Sequence, residues 1–145
     1  MTGYNSIYLD SAPIIYYLDD CAPYKAVVWK VIEDGIRRGA RFFSSTLLNT
    51  EYLVLPFRLG KTEKIADFAS FKSFLKLTTI YATDIITTNA ARLRAKYAGL
   101  KGMDAIHLAT ALFTQCDMFL TNDKQLSQVT EIPVVLLDTL NDHGI

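Results

Sequence analysis

Apolar and polar positions along the chain switch repeatedly between short continuous apolar runs and helical spacing. Ile7-Tyr8-Leu9 reads as a short buried strand ending at Asp10, and a helix through Ile14, Ile15 and Leu18 follows. Pro23 suits the first turn of the next helix, whose apolar face is Val27, Val28, Val31 and Ile32, with Gly39 as its stop. Arg41 to Ser44 is a second strand. Ser45 or Thr46 can cap a helix running to about Leu59 and ended by Gly60. A further helix from about Thr62 to Leu75 presents Ile65, Phe68 and Phe71, and Leu77 to Ala82 reads as a third strand. Asp84 to Tyr97 is helical in spacing and closes at Gly99. Gly102 precedes a helix from about Met103 to Gln115. Met118-Phe119-Leu120 is strand-like, Asp123 to Val129 a short helix, and Pro133 to Leu137 a last strand.

The resulting order is β-α-α-β-α-α-β-α-α-β-α-β. Strands of the continuous apolar kind go with a mostly parallel sheet covered by helices on both faces, an α/β class fold in three layers. No repeat, low-complexity tract or linker interrupts residues 1–145, so the expectation is a single domain.

Composition narrows the picture modestly. Half the residues are hydrophobic and 21% are charged, which fits a packed core and argues against disorder. The start of the chain lacks a basic segment followed by an apolar run, and no apolar stretch is long enough to span a bilayer. The two cysteines, Cys21 and Cys116, make no metal-ligand spacing and read as reduced thiols, with the cytoplasm as the expected location. Formal net charge is zero, so no global positive field draws in a phosphate backbone. Arg37, Arg38 and Arg41, then Arg58, Lys61 and Lys64, then Arg92, Arg94, Lys96 and Lys101 cluster locally; each cluster reads as a solvated helix face.

Four carboxylates stand in unusual places. Sheets of this class bind ligands beyond the carboxyl ends of their strands, and Asp10 and Asp123 follow two such ends. Each taken singly also suits a helix cap. Glu51 has Leu47, Leu48, Val54 and Leu55 as its helix-surface neighbours, so it is expected in the middle of an apolar stripe. Asp104 heads a helix whose stripe continues through Leu108, Ala111 and Leu112; a first-turn acid favoured by the helix dipole is its plainer role. His107, in an apolar helix, reads as a packed, hydrogen-bonded core residue ahead of a ligand or general base. Converging acids repel, and hard divalent cations such as Mg²⁺ and Mn²⁺ relieve that repulsion through carboxylate and water oxygens. Ser11 and Thr121 beside the acids could support a metal-bound water.

With these residues in view the chain resembles the PIN-domain family, and within it the VapC-type toxin ribonucleases of bacterial toxin–antitoxin systems. Tyr8-Leu-Asp10-Ser11, Ser45-Thr-Leu-Leu-Asn-Thr-Glu51, Met103-Asp104-Ala-Ile-His-Leu-Ala109-Thr-Ala111 and Thr121-Asn-Asp123 carry the likeness in order along nearly the whole chain. The resemblance implies an α/β/α sandwich whose acids Asp10, Glu51, Asp104 and Asp123 bind Mg²⁺ or Mn²⁺ and hydrolyse RNA, with Ser11 and Thr121 in support. It also implies a homodimer and a cognate antitoxin. Ala12 departs from it, standing where many relatives carry a polar residue. The alternatives are a non-catalytic module of the same fold that binds RNA or protein, and a phosphoacceptor receiver domain. The receiver needs early paired acids and an Asp ending the third strand. Here Asp19-Asp20 lies in or after a helix, and Tyr81-Ala82 ends that strand.

Overall fold

Along β1 (Ser6–Leu9) the side chains alternate between two cores, and this alternation sets the layers of the fold. The computed structural model describes residues 3–142. Ile7 and Leu9 join Phe42, Met118 and Leu120 in one core; Tyr8 joins Phe43 and Phe119 in the other. Strands β2 (Arg41–Ser45), β3 (Thr78–Ile80), β4 (Met118–Thr121) and β5 (Val134–Leu136) complete a five-stranded, all-parallel sheet in the order β3-β2-β1-β4-β5.

Helices α1 (Ser11–Leu18), α2 (Tyr24–Arg38), α3 (Leu47–Arg58) and α4 (Thr62–Leu75) pack into the first core. Helices α5 (Asp84–Lys96) and α6 (Gly102–Phe113) fill the second. The expected three-layer α/β/α sandwich is therefore present. Because parallel strands need crossovers, each strand is joined to the next through helical chain. Gly35 lets α2 lie close on the sheet: a Cβ there would meet Phe42 Cζ at 2.7 Å. Gly39 closes the same helix in the left-handed region, at φ 76°.

The main departures lie towards the C-terminus. The chain continues past β5 into a seventh helix, α7 (Leu137–Asp142), where the sequence suggested a strand running to Leu137. Val134 to Leu137 is an apolar run without periodicity, which a strand and a buried helix share. Leu137 and Leu140 decide for a helix by packing together into the first core. The expected helix from Asp123 to Val129 is a short 3₁₀ turn, Lys124–Gln128. The third strand shrinks to Thr78–Ile80, since it is an edge strand and Tyr81 beyond it is exposed. Among the described residues, no helix is long and apolar enough to cross a membrane.

Candidate functional site

In the order β3-β2-β1-β4-β5 the chain first winds from β1 towards β3, then returns to the other side of β1 to lay down β4. The carboxyl ends of β1 and β4 therefore flank the switch point, where loops diverge to opposite sides and leave a crevice. Leu9 pairs with Leu120 in the register there. Asp10 leaves β1 on one side of the crevice, and Thr121, ending β4, stands on the other.

A single hydroxyl ties the two strand ends. Thr121 Oγ1 donates to Asp10 Oδ2 at 2.7 Å and accepts the backbone N–H of Asp123 at 3.2 Å. Asp10 also caps α1, its Oδ1 accepting from the Ser11 amide at 2.9 Å, and Asp123 caps the 3₁₀ turn through the Gln125 amide at 3.0 Å. The capping roles are thus real. They leave lone pairs on each carboxylate, so capping does not compete with a second role. Asp10 is buried, and that burial raises its carboxyl pKa; the charge of Glu51 adds to the rise, while His107, Thr121 and the Ser11 amide oppose it.

Glu51 reaches the site from α3. Ser11 Oγ donates to its Oε2 at 3.0 Å, and His107 Nε2 lies 2.6 Å from its Oε1. The expectation that Glu51 sits in a buried apolar stripe is corrected here. Val54 and Leu55 beside it are about half exposed, at 47% and 53%, and α3 is packed through Leu48 and Tyr52 instead. The second half of the helix turns Val54 and Leu55 outwards, while Leu47 is half-buried and Glu51 is held by polar partners.

Asp104 lies in the first turn of α6, half-buried and not at the cap. Burial pushes its carboxyl up to about 6, and the neighbouring charges of Asp10 and then Asp123 add to the rise, against His107 and Lys101. The four sequence-predicted acids are thus linked in a chain, with the charge of Glu51 acting on Asp10 and those of Asp10 and Asp123 acting on Asp104. Among the described residues, no ion pair joins a Lys or Arg to any of them.

Their basic neighbour is His107, one helical turn beyond Asp104. It is fully buried and hydrogen-bonded, as the sequence suggested, with Nδ1 2.6 Å from the Tyr8 hydroxyl. What the sequence did not reveal is that its other nitrogen faces Glu51, and lies 3.8 Å from Asp10. Burial pulls the imidazole pKa down, but the Glu51 hydrogen bond and the charges of Asp10, Glu51 and Asp104 outweigh it and the net shift is upward. A histidine three residues after Asp104 on the same helix was the signal available; its partner on α3 was not.

Among the described residues, no three acidic, histidine or cysteine side chains close on a cation-sized centre. The donor chemistry nonetheless fits a hard divalent cation: carboxylates and hydroxyls, without a paired Lys or Arg, at a mouth where burial first, and then the charges of Asp10 and Asp123, hold Asp104 high. Beside Glu51 a groove of about 280 Å³ runs between α1 and the α3–α4 pair, lined by Ile15, Leu55, Asp19, Lys61 and Lys64. Of the second basic cluster, Lys64 is spent on the Leu18 carbonyl, at 2.7 Å.

The PIN domain family profile matches residues 7–132. No curated protein matches the chain. Among solved structures, VapBC2 from Rickettsia felis bound to a DNA fragment from their promoter is similar, with a TM-score of 0.67 at 13% identity over 90% of this chain and 98% of that one. A toxin–antitoxin complex from Klebsiella pneumoniae is also similar, with a TM-score of 0.64 at 18% identity over 90% of this chain and 97% of that one. At such identities the likeness is one of fold.

Proposed function

This chain belongs to the PIN domain family, and we propose that it is a ribonuclease that hydrolyses RNA phosphodiester bonds as the toxin of a toxin–antitoxin pair. The observation that carries the reading is the set of acids at the switch point: Asp10 and Asp123 joined through Thr121, with Asp104 sensing both. In this reading Asp10, Glu51, Asp104 and Asp123 hold Mg²⁺ or Mn²⁺. Such a cation, when bound, lowers the pKa of water and offsets charge on the phosphate.

The chain's own groups do the remaining work. Thr121 fixes the Asp10 carboxylate and the start of the Asp123 turn at once, so both acids keep their aim without a cation. Ser11 orients Glu51. Asp104, half-buried and raised to about 6, is held towards its protonated form by burial and by Asp10 and Asp123, and a bound cation would favour its ionised form. The uncharged overall balance leaves RNA attraction to local lysines such as Lys61 at the groove beside Glu51.

A cognate antitoxin and a second copy of the chain belong to the same reading, the former because both similar structures are complexes of that type. The free thiols Cys21 and Cys116 suit a cytoplasmic setting. One observation favours a rival, the non-catalytic module of this fold: no three ligand groups among the described residues close on one centre. The same assay decides between them. Purified protein is expected to cleave single-stranded RNA with Mn²⁺ or Mg²⁺ and to stop with EDTA; RNA binding without cleavage under any metal would establish the rival.

A further inference from the structure

The geometry points to His107 as a positioning residue that holds the Glu51 carboxylate in the site, with Tyr8 as its anchor. This inference rests on the metal-site reading of Glu51. Of the apolar neighbours of Glu51 on α3, Leu48 is buried while Val54 and Leu55 face outwards, so packing along α3 does not by itself aim its carboxylate. Two polar contacts do. Ser11 donates to Oε2 at 3.0 Å, and the shorter contact, at 2.6 Å, is His107 Nε2 to Oε1.

The direction of that hydrogen bond follows from the acceptor. An ionised carboxylate only accepts, so Nε2 must carry the hydrogen. In the neutral ring Nδ1 is then an acceptor, and the Tyr8 hydroxyl, 2.6 Å away, is its donor. Neither ring can easily turn. His107 and Tyr8 are both fully buried, and Tyr8 is stacked on Phe119 at 5.1 Å between ring centres. The chain Tyr8–His107–Glu51 thus runs from the middle of the sheet, through α6, to α3. It couples three elements that the sequence separates by 99 and 56 residues at its two hydrogen bonds. Tyr8 lies on β1 two residues before Asp10, which follows that strand, and His107 follows Asp104 on α6, so the elements that position two acids also aim the third.

The test uses the full chain, titrated calorimetrically with Mn²⁺ after EDTA treatment and dialysis, as the native protein, His107→Gln and His107→Leu. Gln retains an N–H that can reach Glu51; Leu fills the space without a donor. His107→Leu is expected to weaken Mn²⁺ binding roughly 10–100-fold, the usual loss when a group orienting a metal ligand is removed, and His107→Gln to recover most of it. In the metal-free native protein, nitrogen NMR is expected to show Nε2 of His107 protonated, a readout that needs no variant to fold. Equal affinity in the native protein and His107→Leu, equal loss in both variants, or a bare Nε2 would overturn the positioning role while leaving the metal site intact. A native protein that binds no Mn²⁺ would overturn both.

Discussion

Asp104 shows at the scale of one residue how a site can cost stability. Its carboxyl is raised to about 6 by burial and by Asp10 and Asp123, whereas in the unfolded chain it titrates near 3.8. Between those values the folded protein binds more protons at this group than the unfolded one, so this contribution to stability falls as pH rises and is fully unfavourable above about 6. Metal-free Asp104→Asn is therefore expected to melt at or above the native protein near pH 7 and to show a shallower decline from pH 4 to 6. Its RNA cleavage should fall by orders of magnitude. Melting curves in EDTA across that range, beside a cleavage assay, check both halves; a variant that cleaves normally removes Asp104 from the site. The two thiols differ for equally local reasons. Cys116 is buried and its thiol pushed up to about 11 by that burial, while Cys21 is half-buried in a loop. A thiol reagent on the native protein should label Cys21 first and Cys116 only after unfolding, as peptide mapping of a short labelling time would show.

At the scale of an element, α2 and β2 illustrate how close contact depends on the absence of a side chain. A Cβ on Gly35 would stand 2.7 Å from the buried Phe42 ring and 3.3 Å from Ile7. Gly35→Ala would raise helix propensity by about 1 kcal/mol. The overpacking works against it, and such insertions cost about 1–3 kcal/mol. The variant is expected to be the less stable, seen as a lower urea midpoint with unchanged m-value; a higher midpoint would mean that α2 shifts freely. The Thr121 hydroxyl joins elements in a different way, bonding Asp10 after β1 and the Asp123 amide after β4. Thr121→Val keeps the shape and removes both bonds. It is expected to weaken Mn²⁺ binding roughly 10–100-fold by freeing a ligand's orientation, with calorimetry as the measurement; unchanged affinity would leave Thr121 a packing residue.

For the whole molecule, the proposed cation links the acids into one thermodynamic unit. A ligand bound only by the folded state stabilises it by about 2.7 kcal/mol at a hundredfold excess over Kd. Mn²⁺ should accordingly raise the melting temperature of the native protein, and raise that of Asp104→Asn by less. Absence of any shift at millimolar Mn²⁺ would argue for the non-catalytic module.

The sequence by itself determined the layers and their order. Continuous apolar strands, helical periodicity and glycine stops are local signals, and all five strands and the first six helices lie where those signals put them, within a few residues. It also picked out Asp10 and Asp123, because an acid following a buried strand is a local event. The final helix escaped, since Val134 to Leu137 is compatible with either period until Leu137 and Leu140 find their neighbours. Glu51 was singled out on a ground that holds only in part: Leu48 beside it is buried but Val54 and Leu55 face solvent, and only the fold reveals that it is held by Ser11 and His107. Which acids share a mouth, and that a buried histidine faces two of them, are contacts between residues far apart in the chain. No period along a sequence encodes such pairs. They are decided when the strand order turns back at β1 and sets β4 beside it.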